Sequence, residues 1–227
     1  MRYPRSMNTT IGNSKYHFVI LVALTFLASA SGVRAWDHPG HMTTAAIAFA
    51  EIERARPELI EKIGLLLIAH PDPSPFWVAA GDAKGKERAR LMFIEAARWA
   101  DDAKGTMHDR PSWHTTRWPI VTKDAPPEAK AAAASRKDRP AGHAINALVL
   151  NFAMLSDSET NPTERASALS WLLHMVGDIH QPLHVGDQYS KEFPAGNAAG
   201  TLEWVADPMS ESPMPLHVLW DTNSLRS

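Results

Sequence analysis

Residues 161–184 read NPTERASALSWLLHMVGDIHQPLH, and this stretch decides the fold class. It opens with a helix start: Asn161 stands where a side-chain oxygen accepts from a free backbone N–H, Pro162 has its φ preset for the first helical position, and Glu164 falls at the third. Pro182 supplies the stop, because it has no N–H to donate and its ring clashes with the preceding turn. The pattern predicts a helix from Asn161 to about Ile179. At about 100° per residue, Leu169, Leu172, Val176 and Ile179 share one face, read as core. Ser167, Ser170, His174 and Asp178 share the opposite face, read as a site.

Apolar residues at three- and four-residue spacing predict further helices over Met42 to Arg56, Glu87 to Lys104 and Ala141 to Leu155. The Pro- and Ala-rich stretch from Ala125 to Ala134 reads as a loop. After Pro182 the chain turns Gly- and Pro-rich, and only Thr201 to Val205 suggests an extended segment. No repeat, low-complexity tract or linker interrupts the 227 residues, a length that suits one domain. The expected fold is all-α, a single mainly helical domain.

Residues 1–35 carry Arg2, Arg5, Lys15 and Arg34 and no acid, and their apolar run, Phe18 to Ala28, is too short to span a bilayer. This is signal-peptide design, with Val33 and Ala35 before a cut that frees Trp36 and leaves a chain of 192 residues. An uncleaved N-terminal anchor is the alternative. Cleavage removes four basic residues and takes the formal charge from −2 to −6. So acidic a protein gains little from counterion release on phosphate backbones, so bound metal must supply the positive charge if it binds nucleic acid. The chain has no cysteine, so any metal must be held by nitrogen and oxygen.

His174 and Asp178 are four residues apart and project from the same helix face, so they can ligate one ion. His184 follows just past the helix break, and His217 and Asp221 repeat the spacing near the C-terminus. One such pair alone is more often a helix-stabilising contact; two pairs with a nearby histidine point to metal. His180 points away from Asp178 and reads as a structural, hydrogen-bonded histidine. Upstream lie Trp99-Ala100-Asp101, Trp113-His114, and Trp36 followed by Gly40-His41. A new N-terminus at Trp36 would carry an α-amine of pKa roughly 7.7 to 8.0, whose proton a metal can displace.

Together these motifs resemble the S1/P1 nuclease family of the phospholipase C/P1 nuclease superfamily. Residues 174–184 read HMVGDIHQPLH against the family's His-x-x-x-Asp-x-His-Gln-Pro-x-His, and LHVLWD from Leu216 to Asp221 matches Leu-His-x-x-Trp-Asp. The resemblance covers the whole of residues 36–227. It implies three zinc ions: one held by Asp101, His114, His174 and Asp178, a second by His184, His217 and Asp221, and a third by Trp36, His41 and the shared Asp178. It implies a secreted or periplasmic endonuclease acting on single-stranded nucleic acid or nucleotides by metal-activated water, with 5′-phosphorylated products, 3′-nucleotidase chemistry, and no stable membrane anchor once the signal is cleaved.

By the same resemblance, Asp178 and Lys104 are catalytic, the lysine stabilising transition-state charge, and Asn197 contacts a base. A solvated helix-end lysine and a turn asparagine are the plainer readings. The chain departs from the family at Asp37 and Ala195, usually glycines. Thr115 stands where an aromatic stacks a base, and Arg117 where an acid or amide is usual. Trp118 either replaces that platform or packs in the core. Family chains also continue through further helices beyond the LHVLWD motif, so a C-terminally short domain with uncovered apolar surface is expected. The competing functions are a zinc-dependent phospholipase C and a truncated zinc-binding homologue with little activity.

Overall fold

The computed structural model describes residues 37–138 and 142–222. Among these, ten α-helices and four short strands follow in order. They are α1 (His38–Ala55), α2 (Leu59–Ile68), α3 (Ser74–Ala80), α4 (Gly85–Ala96), α5 (Trp99–Asp102), β1 (Trp118–Val121), α6 (Pro127–Ala134), α7 (Ala144–Ser156), α8 (Pro162–His180), α9 (Pro182–Val185), β2 (Gly186–Tyr189), β3 (Trp204–Ala206), β4 (Pro213–Pro215) and α10 (Leu216–Thr222). A single 3-10 turn, Pro111–Trp113, precedes β1. The mainly helical class agrees with the expectation.

Helix α8 is the hub, packing against α1, α2, α4, α5, α7 and α9. Its start is the expected cap: the Asn161 side chain accepts from Glu164 N at 2.9 Å. The core beneath it contains Phe49, Leu67, Phe76, Met92, Phe93, Trp99, Trp171 and Met175, each contributing about 1.5–3 kcal/mol by leaving water.

The apolar face of α8 is only partly the expected core: Leu169 packs in it, but the face opens to solvent further along. Val176 is 43% exposed, whereas His174 and Asp178 are wholly buried. His41 from α1 and Asp101 from α5 converge on that polar face, so the candidate site lies inside the domain and the apolar face is partly outside.

Three further expectations need correction. The helix foreseen over Glu87 to Lys104 is broken into α4 and α5. At the break the Ala97 carbonyl accepts from His174 Nδ1–H at 2.8 Å, and Asp101 N turns to Arg98 O instead. The Ala125–Ala134 loop contains α6, because Pro127 pre-sets the first turn and an alanine run follows with high helix propensity. The chain after Pro182 also builds more structure than the one extended segment foreseen: β2 pairs in parallel with β1, Gly186 opposite Trp118, and β3, which overlaps that segment, pairs antiparallel with β4. On α7, Ile145, Val149 and Phe152 form an exposed apolar stripe.

Candidate metal centre

Two sets of candidate ligands meet under α8. On the helical side, α8 presents His174 and Asp178 one turn apart, α1 presents His41, α5 presents Asp101, and the end of the 3-10 turn presents His114. Asp178 is the focus: its Oδ2 lies 3.2 Å from His114 Nδ1 and 3.3 Å from His174 Nε2, and its Oδ1 lies 3.4 Å from His41 Nε2. The His41 and His174 rings stack with centroids 3.8 Å apart. Such close approach of α1 to α8 needs Gly177, since a Cβ there would sit 2.7 Å from His41 Nδ1.

On the other side, α9 presents His184 and α10 presents His217 and Asp221. His184 Nε2 is 3.6 Å from Asp221 Oδ1, and His217 Nε2 is 3.3 Å from Asp221 Oδ2. Gln181, buried at the end of α8, donates to Asp221 Oδ1 at 2.7 Å. The two sides are tied reciprocally: His184 Nδ1–H donates to the His114 carbonyl at 2.7 Å, and Thr116 N–H donates to the His184 carbonyl at 2.8 Å.

The hydrogen bonding fixes tautomers. His174, His184 and His217 each give their Nδ1 hydrogen to a backbone carbonyl, of Ala97, His114 and Ala199 respectively, so each Nε2 keeps its lone pair. The Nε2 atoms of His114, His184 and His217 are buried without a hydrogen-bond partner. Orphaned imidazole nitrogens in a dry interior are costly unless something binds them. Imidazole nitrogens and carboxylate oxygens gather into three groups, His41–Asp101–His174, His114–His174–Asp178 and His184–His217–Asp221, with one atom from each residue lying within 4.8 Å of the others. Such groups could each hold a metal ion.

Burial pushes His41 down to about 3, with His174 adding to the effect, so it is a neutral imidazole ready to ligate. Burial opposes the charge of Asp178, but His174, His114 and His41 outweigh it and hold the carboxyl well below its usual range. Burial lowers His217 as well, outweighing the Asp221 carboxylate that pulls it up, and the Arg117 guanidinium adds to the lowering.

Eight of the nine expected ligands are therefore brought together: His41, Asp101, His114, His174, Asp178, His184, His217 and Asp221. The ninth, Trp36, and the expected signal peptide lie outside the described residues. Asp37, an irregular residue by family pattern, caps α1 through Gly40 N at 3.1 Å, and its own N–H donates to the Asp221 carbonyl at 2.8 Å.

Lys104 Nζ sits 2.8 Å from Asp101 Oδ1 at the edge of the helical side. Asn197 is buried; its Oδ1 accepts from Gln188 N and its Nδ2 donates to Glu203, both at 3.1 Å. Trp118 is 45% exposed, not core, and borders a groove of about 430 Å³ with His143 and Asn146. Beside it, Arg117 is half-buried with its Nε lacking a hydrogen-bond partner. His180 is exposed and donates to the Val176 carbonyl at 2.6 Å. Gln181 and Gly177 were legible only as parts of the HMVGDIHQPLH motif; their roles come from which helices cross there.

A sequence model described as S1/P1 Nuclease matches residues 36–227. Nuclease S1 of Aspergillus oryzae is 26% identical over 202 residues, covering 89% of this chain and 58% of its own length. Endonuclease 1 of Arabidopsis thaliana is 25% identical over 225 residues, 92% of this chain and 60% of its own. Nuclease P1 of Penicillium citrinum is 32% identical over 88 residues, 39% of this chain and 32% of its own. The chain thus spans about three-fifths of the first two relatives.

Proposed function

Because the chain belongs to the S1/P1 nuclease family, we propose that it is a zinc-dependent endonuclease that hydrolyses single-stranded DNA and RNA to 5′-phosphorylated products, with 3′-nucleotidase chemistry at the same site. The observation that carries this reading is the convergence of buried imidazoles whose Nε2 atoms have no hydrogen-bond partner around shared carboxylates. Zinc ligated at about 2.0–2.1 Å in a tetrahedron places its donors about 3.3 Å apart, and the separations of 3.2–3.6 Å about Asp178 and Asp221 suit it.

Three ions are proposed. Asp101, His114, His174 and Asp178 would hold one, and His184, His217 and Asp221 another. Trp36, His41 and Asp178 would hold the third. When bound, zinc supplies Lewis acidity and a water that ionises near neutral pH. The bond from Asp37 N to Asp221 O supports the third set, since it fixes the residue after Trp36 beside the centre.

The chain's own residues do the rest. Asp178 orients His174, His114 and His41 and, buried as a carboxylate, demands cations around it. Lys104, on the helical side, and Arg117, on the side of His217, place a positive charge at each flank for a phosphodiester that develops negative charge as it reacts. Trp118 offers a stacking surface for a base, a contact that tolerates any sequence and favours unpaired strands. Asn197 gives one amide hydrogen to Glu203, and a base contact from it would fall to the second. The first 35 residues act as a signal peptide and the protein works outside the cytoplasm; among the described residues no helix is long and apolar enough to cross a membrane.

The test is to express the full chain in a secreting host and confirm Trp36 as the N-terminus by sequencing. Bound zinc is then counted, and single-stranded DNA, RNA and phosphatidylcholine are offered. Three zinc ions and 5′-phosphorylated oligonucleotides are expected. Turnover of lipid alone would make it a phospholipase C, and zinc binding without turnover of any of the three would make it a binding protein.

A further inference from the structure

His217 owes its orientation to a loop that no metal ligand occupies. Its Nδ1–H donates to the Ala199 carbonyl at 2.6 Å. Ala199 and its neighbour Ala198 have φ of 59° and 51°, a left-handed conformation in which Cβ crowds the following carbonyl and which alanine avoids. Two consecutive alanines stay there only if something outside the turn holds them.

That holder is Asp187, on β2. It is buried, and its Oδ1 accepts from Ala199 N–H at 3.1 Å. The same carboxylate lies against Gly196, whose φ is 97° and where a Cβ would be 3.0 Å from Oδ2 and 3.1 Å from Oδ1. Asn197 anchors the next residue of the loop to Gln188, beside Asp187 on the same strand.

We propose that Asp187 is a positioning residue for the His184–His217–Asp221 group: by holding the Ala198–Ala199 turn it aims the Ala199 carbonyl at His217 Nδ1 and so keeps Nε2 of that ring free as a metal ligand. The chemistry is that of an outer-shell partner, which fixes a ligand histidine's tautomer and ring angle without touching the ion. Charge is secondary to the acceptor, because Arg136 Nη1 approaches Oδ2 only to 3.9 Å. The part of the inference that concerns metal affinity rests on the zinc reading above; the part that concerns the His217 tautomer does not.

The experiment compares the full chain with Asp187→Ala, Asp187→Asn and Gly196→Ala. In metal-free protein, long-range proton–nitrogen NMR reads the His217 ring, assigned by its loss in His217→Gln. In zinc titrations against a chelator, the affinity of each equivalent is read. The wild type is expected to show a single Nδ1–H tautomer at His217. Asp187→Ala is expected to mix the tautomers and weaken one zinc equivalent by about 10- to 100-fold while sparing the others, and Asp187→Asn, which keeps the acceptor, to restore both within about threefold of the wild type. If Asp187→Ala does not fold, Gly196→Ala, which pushes on the same carboxylate, is expected to show the same pair of changes. An unchanged His217 signal in either folded variant would overturn the proposal. A wild type that binds no zinc sinks the functional reading instead, and the tautomer still judges Asp187.

Discussion

The two sides of the centre hold their ligands by different means. On the helical side, His41, His174 and Asp178 ride on long helices fixed by a large apolar core, and the geometry follows mainly from helix crossing, with the Ala97 carbonyl setting only the ring of His174. On the opposite side, His184 and His217 sit on helices of four and seven residues, too short to be rigid alone, and each is aimed by a carbonyl from a loop. The difference shows that similar ligand spacing can rest on packing in one place and on hydrogen-bonded backbone in another. Packing errors should therefore injure the first side, and broken hydrogen bonds the second.

Asp178→Ala should have the largest effect and breaks the comparison at its centre. Three histidines lose a shared buried carboxylate, and turnover of single-stranded DNA should fall by about 10³-fold or more. Zinc counting should show the His184–His217–Asp221 equivalent retained; its loss would mean that the two sides are one site.

Next come the flanking cations. Lys104→Met and Arg117→Met should each lower kcat by about 10²-fold with zinc content unchanged. A large effect from only one would show which side faces the reacting phosphate.

Acid probes the helical side through His70, packed against Trp99 and Phe76 and pushed by burial down to about 4. The unfolded chain binds its proton near 6.5 and the folded one only near 4, so the folded state is favoured in full above pH 6.5 and loses that advantage as pH falls towards 4. The loss is roughly 3 kcal/mol at most. Thermal melts of His70→Phe should lose less stability than the wild type across that window; parallel losses would remove His70 from the account.

Gly177→Ala sharpens the contrast further. Overpacking against His41 should cost about 1–3 kcal/mol, offset by about 1 kcal/mol of helix propensity. Zinc should be lost from the His41 set and kept by the loop-held set, as read by metal analysis of the purified variant. Smallest is Trp118→Ala. It should raise KM for oligonucleotides about tenfold by removing one stacking surface, while hydrolysis of bis(p-nitrophenyl) phosphate, which has no base, stays as it was.

The same contrast explains what could be read from sequence. Asn161, Pro162 and Pro182 declare α8 because capping and ring sterics are local, and the spacing of His174 and Asp178 follows from the helix they define. The extent of the core on the apolar face was overestimated at Val176, because periodicity counts apolar residues and cannot register which of two faces the neighbouring helices cover. The kink between α4 and α5 was hidden because it is made by His174, 77 residues away from Ala97. Gly177 carries no local sign of the helix that crosses it. Asp187 and the strained alanines were beyond reach, since the turn exists only once β2 and α10 are in place.

The bond from Asp37 N–H to the Asp221 carbonyl joins the first described residues to almost the last. During synthesis, residue 221 emerges well after α1 and α8, so the helical side of the centre is made before the residue that closes the other side. An ion that needs candidate ligands from both sides would therefore meet a helical core already in place, and would complete the fold rather than nucleate it.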